Sequence, residues 1–237
     1  MHNLAVRTSG RVAGFIMRAL TEGFGGSSGV HTLQDEAGLV VVHDIGNSGE
    51  PARLPRILTE ALEAIDPSRS SAVVNPYEYS LKQPKTIVLL SQYPPDGLLF
   101  HALRHASDIV GAGVYVPLEP EGDYRAEAFP YNLAFRHYNA RKSKTDIVSE
   151  RRSQPSHSKA LIVTYDDGSA KLLLGSDNFA THLQKMVRNE ELALVLSVTS
   201  KEDSIFATYG SLVEMLAAQG EISPAVAQSL IIDIKDA

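Results

Sequence analysis

His157 and Lys159 stand two residues apart at the head of an apolar run, "HSKALIVTY". The chain returns through "AKLLLGSDNF", which carries Ser176 and Asn178, again two apart. Residues at i and i+2 point to one face of a strand, so each pair presents its polar groups together. Between the runs lies "DDGS", an Asp-Gly turn signal of the hairpin type. An antiparallel hairpin would bring Ser176 and Asn178 to the strand end nearest His157. One imidazole, one ammonium, one hydroxyl and one amide then converge on a single point. Such a set suits a phosphate, because the ammonium and amide donate to non-bridging oxygens while the imidazole attacks phosphorus or moves a proton. No carboxylate cluster accompanies them to hold a metal, and no cofactor is implied. A plain hairpin with capped polar ends is the alternative.

The elements that must position these residues are legible in the hydrophobic pattern. "GLVVVHDIG" is a compact β-branched run and predicts a strand, whereas "GFGGSSG" before it reads as a flexible connection. "RVAGFIMRALTE" predicts a helix with Val12, Phe15, Ile16, Ala19 and Leu20 on one stripe. "NSGEPARLPRILTEALEAID" predicts a loop and then a helix with Leu58, Leu62 and Ile65 inward. "KTIVLLSQY" is a buried strand, followed by a helix with Leu99, Leu103, Ala106 and Val110 inward and stopped by Gly111 and Gly113, and then by the strand "VYVPLEP". Strand, helix and strand at this length form a βαβ unit with parallel neighbours. "PYNLAFRHYNARKS" predicts a helix and "ELALVLSVT" a strand. Two helices close the chain, over 202–218 and 224–235, the second with Ser223 and Pro224 as cap and first residue. The fold class is α/β.

The 237 residues are 43% hydrophobic and 21% charged, an ordinary globular composition able to bury a substantial core. The absence of cysteine excludes disulfides and thiolate chemistry. A formal charge of −6 and a pI near 5.7 give no global attraction to nucleic acid or anionic lipid. No apolar run approaches the roughly 18 to 20 residues that span a bilayer, which points to a cytoplasmic location or a peripheral one at the membrane.

The motif set resembles that of the phospholipase D superfamily, which carries H-x-K, an apolar strand and then G-S-x-N; here these are "HSK", "ALIVTY" and "GSDN". The family also has N-x-E followed by an apolar strand, and "RNEELALVL" supplies Asn189 and Glu191. The likeness covers about residues 55–200. It implies a mixed β-sheet layered between α-helices. It also implies that His157 forms a phosphohistidine or acts as the matching general acid, that Lys159, Ser176 and Asn178 hold the phosphate, and that Glu191 orients a histidine. The organisation expected is an N-terminal segment over 1–54 resembling the region after a first motif, a motif-bearing domain over 55–200, and C-terminal helices over 201–237.

Two features depart from the family pattern. An aspartate usually stands seven residues after the motif histidine, and here that place is Thr164; Asp166 or Asp167 could fill it only through an altered turn. Members also act with two motifs, one histidine attacking while the other protonates the leaving oxygen, and none of the other seven histidines begins H-x-K. The second half-site is therefore expected from a homodimer mate or from a part upstream of Met1. "HNLAVRTSGRVAGFIMRALTEGF" resembles the stretch after the first motif of two-motif members, which favours the upstream part and the cardiolipin-synthase and phosphatidyltransferase branch. A phospholipid-type substrate is then favoured, with a dimeric endonuclease on nucleic acid as the alternative. A non-catalytic phosphate-binding or interaction module is the reading from another class.

Three further groups draw attention. Arg136, Arg141, Lys142, Lys144, Arg151 and Arg152 precede His157, as either an attractive surface for phosphates or a solvated face. His101 and His105 are four apart on a helix but lack an obvious third ligand, so no metal site is expected. Gln92 and Tyr93 follow a strand at its C-terminal end, where α/β sheets place ligands, with packing as the alternative.

Overall fold

Valine-, isoleucine- and leucine-rich runs become the strands of one sheet, and amphipathic segments become its covering helices. In chain order the elements are β1 (Gly29–Gln34), β2 (Leu39–Ile45), α1 (Arg56–Ile65), β3 (Pro84–Leu90), α2 (Gly97–His105), β4 (Gly113–Tyr115), β5 (Ile147–Val148), β6 (Ala160–Tyr165), β7 (Ala170–Gly175), β8 (Glu190–Val198), α3 (Phe206–Ala218) and α4 (Pro224–Ile232). The computed structural model describes residues 14, 17, 29–34, 39–45, 56–69, 82–91, 97–116, 147–148, 158–176, 179 and 190–236. Of the helix expected over 11–22, these include Gly14 and Met17, both helical. The helix expected at 130–143 lies outside them.

The strands join in the order β1-β2-β8-β7-β6-β3-β4-β5. β4 runs parallel to both β3 and β5, and every other adjacent pair is antiparallel. The expected βαβ unit is therefore present, with β3, α2 and β4 in parallel register from Thr86 opposite Gly113.

Alternation along each strand divides the core into two layers, as the period of two requires. On one face Val42, Ile87, Leu89, Leu161, Val163, Leu173 and Val195 pack with α1 and α2. On the other, Val41, Val88, Leu90, Ile162, Leu172 and Leu196 pack with α3 and α4. This is the expected mixed sheet between helical layers. Burial on both faces explains why β6 reads as an unbroken apolar run instead of an alternating one.

The helices follow their patterns closely. Leu58, Leu62 and Ile65 of α1 are buried, as are Leu99 and Leu103 of α2. After α2 the chain widens into a π-turn at Ala106–Val110, which buries Ala106 and leaves Val110 half-buried. Gly111 closes it at φ +83, a left-handed conformation that glycine adopts without steric cost.

Two local expectations change. β1 begins at Gly29, the last residue of the stretch read as a flexible connection, and pairing with β2 makes it a strand. α3 starts at Phe206 instead of 202, because Asp203 accepts from the amides of Thr199 (3.2 Å) and Ile205 (3.1 Å) and so ties a turn ahead of the helix. Ser223 caps α4 as expected, accepting from the Val226 amide at 3.3 Å, with Pro224 next.

Candidate functional site

The turn of the β6–β7 hairpin is built by its own residues. Asp167 accepts from the amide (2.8 Å) and hydroxyl (2.6 Å) of Ser169, an Asx turn, and Gly168 takes φ +87. From there Thr164 pairs with Ala170 and Ala160 with Leu174. The ladder extends one step further, with the Gly175 amide donating to the Lys159 carbonyl at 3.1 Å. Lys159 therefore lies opposite Gly175 at the open end of the hairpin, with Ser176 the next residue of the returning strand.

Glu191 comes to the same end from β8. The Ser176 hydroxyl donates to Glu191 Oε2 and accepts from the Leu192 amide at 3.0 Å, while the Ser176 amide donates to the Leu192 carbonyl at 3.0 Å. Gly175 makes this clasp sterically open. A Cβ there would lie 2.6 Å from the Leu192 carbonyl oxygen and 2.9 Å from Ala193 Cβ. The glycine of "GSDN" thus serves the close approach of β7 to β8.

Just past this stretch, Phe179 is buried in the core beneath α1 and α2 and holds φ +53, a left-handed conformation uncommon for a bulky residue. Its ring anchors the chain directly after "GSDN". The apolar residue that follows that motif is the sequence signal for this anchor. His157 and Asn178 lie outside the described residues, as do Gln92, Tyr93 and the basic residues Arg136, Arg141, Lys142, Lys144, Arg151 and Arg152.

Thr164 meets a carboxylate from elsewhere in the chain. Thr164, wholly buried, donates from its hydroxyl to Asp233 Oδ2 at 2.7 Å. Thr86 donates to the same oxygen at 2.9 Å, and Lys85 Nζ lies 2.6 Å from Oδ1. Asp167 is occupied by the turn, and Asp166 offers its carbonyl to Lys235 Nζ at 2.6 Å. A carboxylate at the C-cap of α4 therefore faces Thr164, which no local reading of the hairpin could reveal.

On the opposite face Glu60 bridges α1 to β7, 2.7 Å from Lys171 Nζ and bonded also to Arg56. Burial raises the Glu60 pKa, but Lys171 and Arg56 together outweigh it and hold the carboxyl below its ordinary value. Burial, and then the charge of Asp167, push the Tyr165 phenol well up, and its hydroxyl donates to the Ala64 carbonyl at 2.8 Å. His101 and His105 are exposed on α2, and among the described residues no group of three potential ligands could hold a metal ion. Among those residues, too, no helix is long and apolar enough to cross a membrane.

No family model matches the sequence, and no curated protein does. Among solved structures, the chain is similar to polyphosphate kinase from Porphyromonas gingivalis at 17% identity and a TM-score of 0.43, over 72% of this chain and 24% of that one. It is also similar to yeast tyrosyl-DNA phosphodiesterase at 19% identity and a TM-score of 0.37, over 62% of this chain and 35% of the other. Both are phospholipase D superfamily proteins. The chain spans about a quarter of the length of the first and about a third of the second.

Proposed function

We propose that this chain supplies one phosphate-binding half-site of a metal-independent phosphodiester enzyme of the phospholipase D type. The observation that supports this most directly is the shared strand end, where the Lys159 carbonyl accepts from the Gly175 amide and the adjoining Ser176 is clasped to Glu191. His157 and Asn178 flank these two residues in sequence, each two positions from its partner.

In this reading an imidazole nitrogen of His157 attacks phosphorus, and the bond from phosphorus to the leaving oxygen breaks. A histidine of the second half-site gives the leaving oxygen its proton. Water or an alcohol then attacks the phosphohistidine, yields its proton to that second histidine, and the phosphorus–nitrogen bond breaks. Lys159 and Asn178 donate to the non-bridging oxygens, where charge develops. The single proton of the Ser176 hydroxyl is engaged by Glu191, so a bound phosphate competes with that carboxylate for it. Glu191 would otherwise orient a histidine. His157 takes the general-acid part instead if the other half-site carries the nucleophile.

The finer reading is phosphatidyl transfer or hydrolysis on a phospholipid, with the second half-site coming from an N-terminal part or a second copy of the chain. The acidic overall balance favours this over a nucleic-acid substrate. The test is covalent trapping. The chain, alone and with a supplied N-terminal half, is incubated with a labelled phosphodiester and quenched in alkali. Acid-labile label on His157, absent in His157→Ala, is the expected result. No label under either condition overturns the enzymatic reading and leaves a phosphate-binding module. DNA cleavage in EDTA, with no turnover of phospholipid, would move the substrate to nucleic acid.

A further inference from the structure

Ser158 stands between His157 and Lys159, and its hydroxyl donates to Glu221 Oε1 at 2.9 Å. Glu221 is 7% exposed and lies in the connection between α3 and α4, 63 residues away in sequence.

The connection is rigid at both ends. Gly220 takes φ +72 and its amide donates to the Ala217 carbonyl at 2.9 Å, while the Glu221 amide donates to the Leu216 carbonyl at 2.9 Å. This is a Schellman motif, with Glu221 at the position that ordinarily carries an apolar residue packed against the last helical turn. Ile222 is buried in the core beneath α3 and α4, and Ser223 caps α4. A buried carboxylate has replaced the apolar residue that local rules favour, and it meets the central residue of the H-x-K motif. Local rules of this kind give way where a site needs the group.

We infer that Glu221 is a positioning residue for the stretch from His157 to Lys159. Its carboxylate pins Ser158 to the layer of α3 and α4, and an extended chain so pinned turns Lys159 to the opposite face. Ala160 and Leu161 continue this alternation, the first packing with α3 and α4 and the second with α1 and α2. The C-terminal helices thereby set the direction of Lys159 without touching the substrate. This inference rests on the reading of residues 157 and 159 as phosphate ligands.

The test uses the full chain, with sodium tungstate as an inorganic phosphate analogue followed by calorimetric titration. Ser158→Ala and Glu221→Ala should each weaken tungstate binding about tenfold, and the double variant no more than either alone. Glu221→Gln, whose amide oxygen still accepts from Ser158, should bind within about threefold of the parent. Parental affinity in Glu221→Ala, losses that multiply in the double variant, or no rescue by glutamine would overturn the inference. If the parent itself binds no tungstate, the phosphate reading fails instead. Hydrogen exchange at Gly175, whose amide donates to the Lys159 carbonyl, then decides the positioning role on its own. Exchange about tenfold faster in both alanine variants and restored by glutamine upholds it; unchanged exchange overturns it.

Discussion

The hydroxyl of Thr164 donates at 2.7 Å to Asp233, a residue 69 positions later in the chain. That bond fastens the C-cap of α4 to the turn end of the β6–β7 hairpin. Lys235 continues the strap, with its amide on the Gly168 carbonyl at 3.2 Å and its ammonium on the Asp166 carbonyl. The hairpin that carries the candidate site is thus held from the far end by the last residues described.

Asp233→Ala should therefore destabilise the protein far more than a surface substitution. It leaves the hydroxyls of buried Thr86 and Thr164 without their acceptor, at a cost of about 3 kcal/mol. Asp233→Asn keeps an acceptor and should lose roughly half as much. Urea unfolding of both variants measures the difference, and equal losses would show that the charge matters more than the hydrogen bonds.

Gly175→Ala tests the close approach of β7 to β8. The new Cβ would meet the Leu192 carbonyl oxygen at 2.6 Å, and backbone cannot swing aside as a side chain can. The strands must separate, at a cost of about 2 kcal/mol, and the Ser176 clasp on Glu191 and Leu192 should open with them. Tungstate affinity and unfolding free energy should fall together. Retained affinity in a destabilised variant would place the phosphate elsewhere.

Acid should weaken the contact between α1 and β7. The folded-state pKa of Glu60 lies below its unfolded value of about 4.3, so the ionised pair contributes stability in full above that value. The contribution is lost as pH falls through the folded-state value. Glu60→Gln should be less stable than the parent at pH 7, with the gap narrowing as the pH drops below about 4. Denaturant midpoints across that range read the effect directly, and parallel curves would remove Glu60 from the account.

Glu191→Gln separates chemistry from binding. In the proposed enzyme, removing the carboxylate charge should slow phosphohistidine formation about a hundredfold and change tungstate affinity little. Rapid-quench labelling at His157 compared with titration measures the two effects. A loss confined to affinity would make Glu191 a support for Ser176 and nothing more.

Much of this was already written in the residues. The Asp-Gly turn between two apolar runs predicts the β6–β7 hairpin, because strand period and turn chemistry are local properties. The β3–α2–β4 unit, the inward faces of α1 and α2, and the Ser223 cap are legible for the same reason. β1 is not, since a polar strand exists only through its pairing with β2. Nor are the partners of the motif's supporting residues. Asp233 facing Thr164, Glu221 facing Ser158 and Lys171 facing Glu60 all join side chains from elements distant in sequence. Their types look unremarkable one by one, and only the packing of two helical layers on the sheet brings each carboxylate to its donor. The hairpin was thus a matter of local sequence, and the means of holding it in place was decided by the tertiary fold.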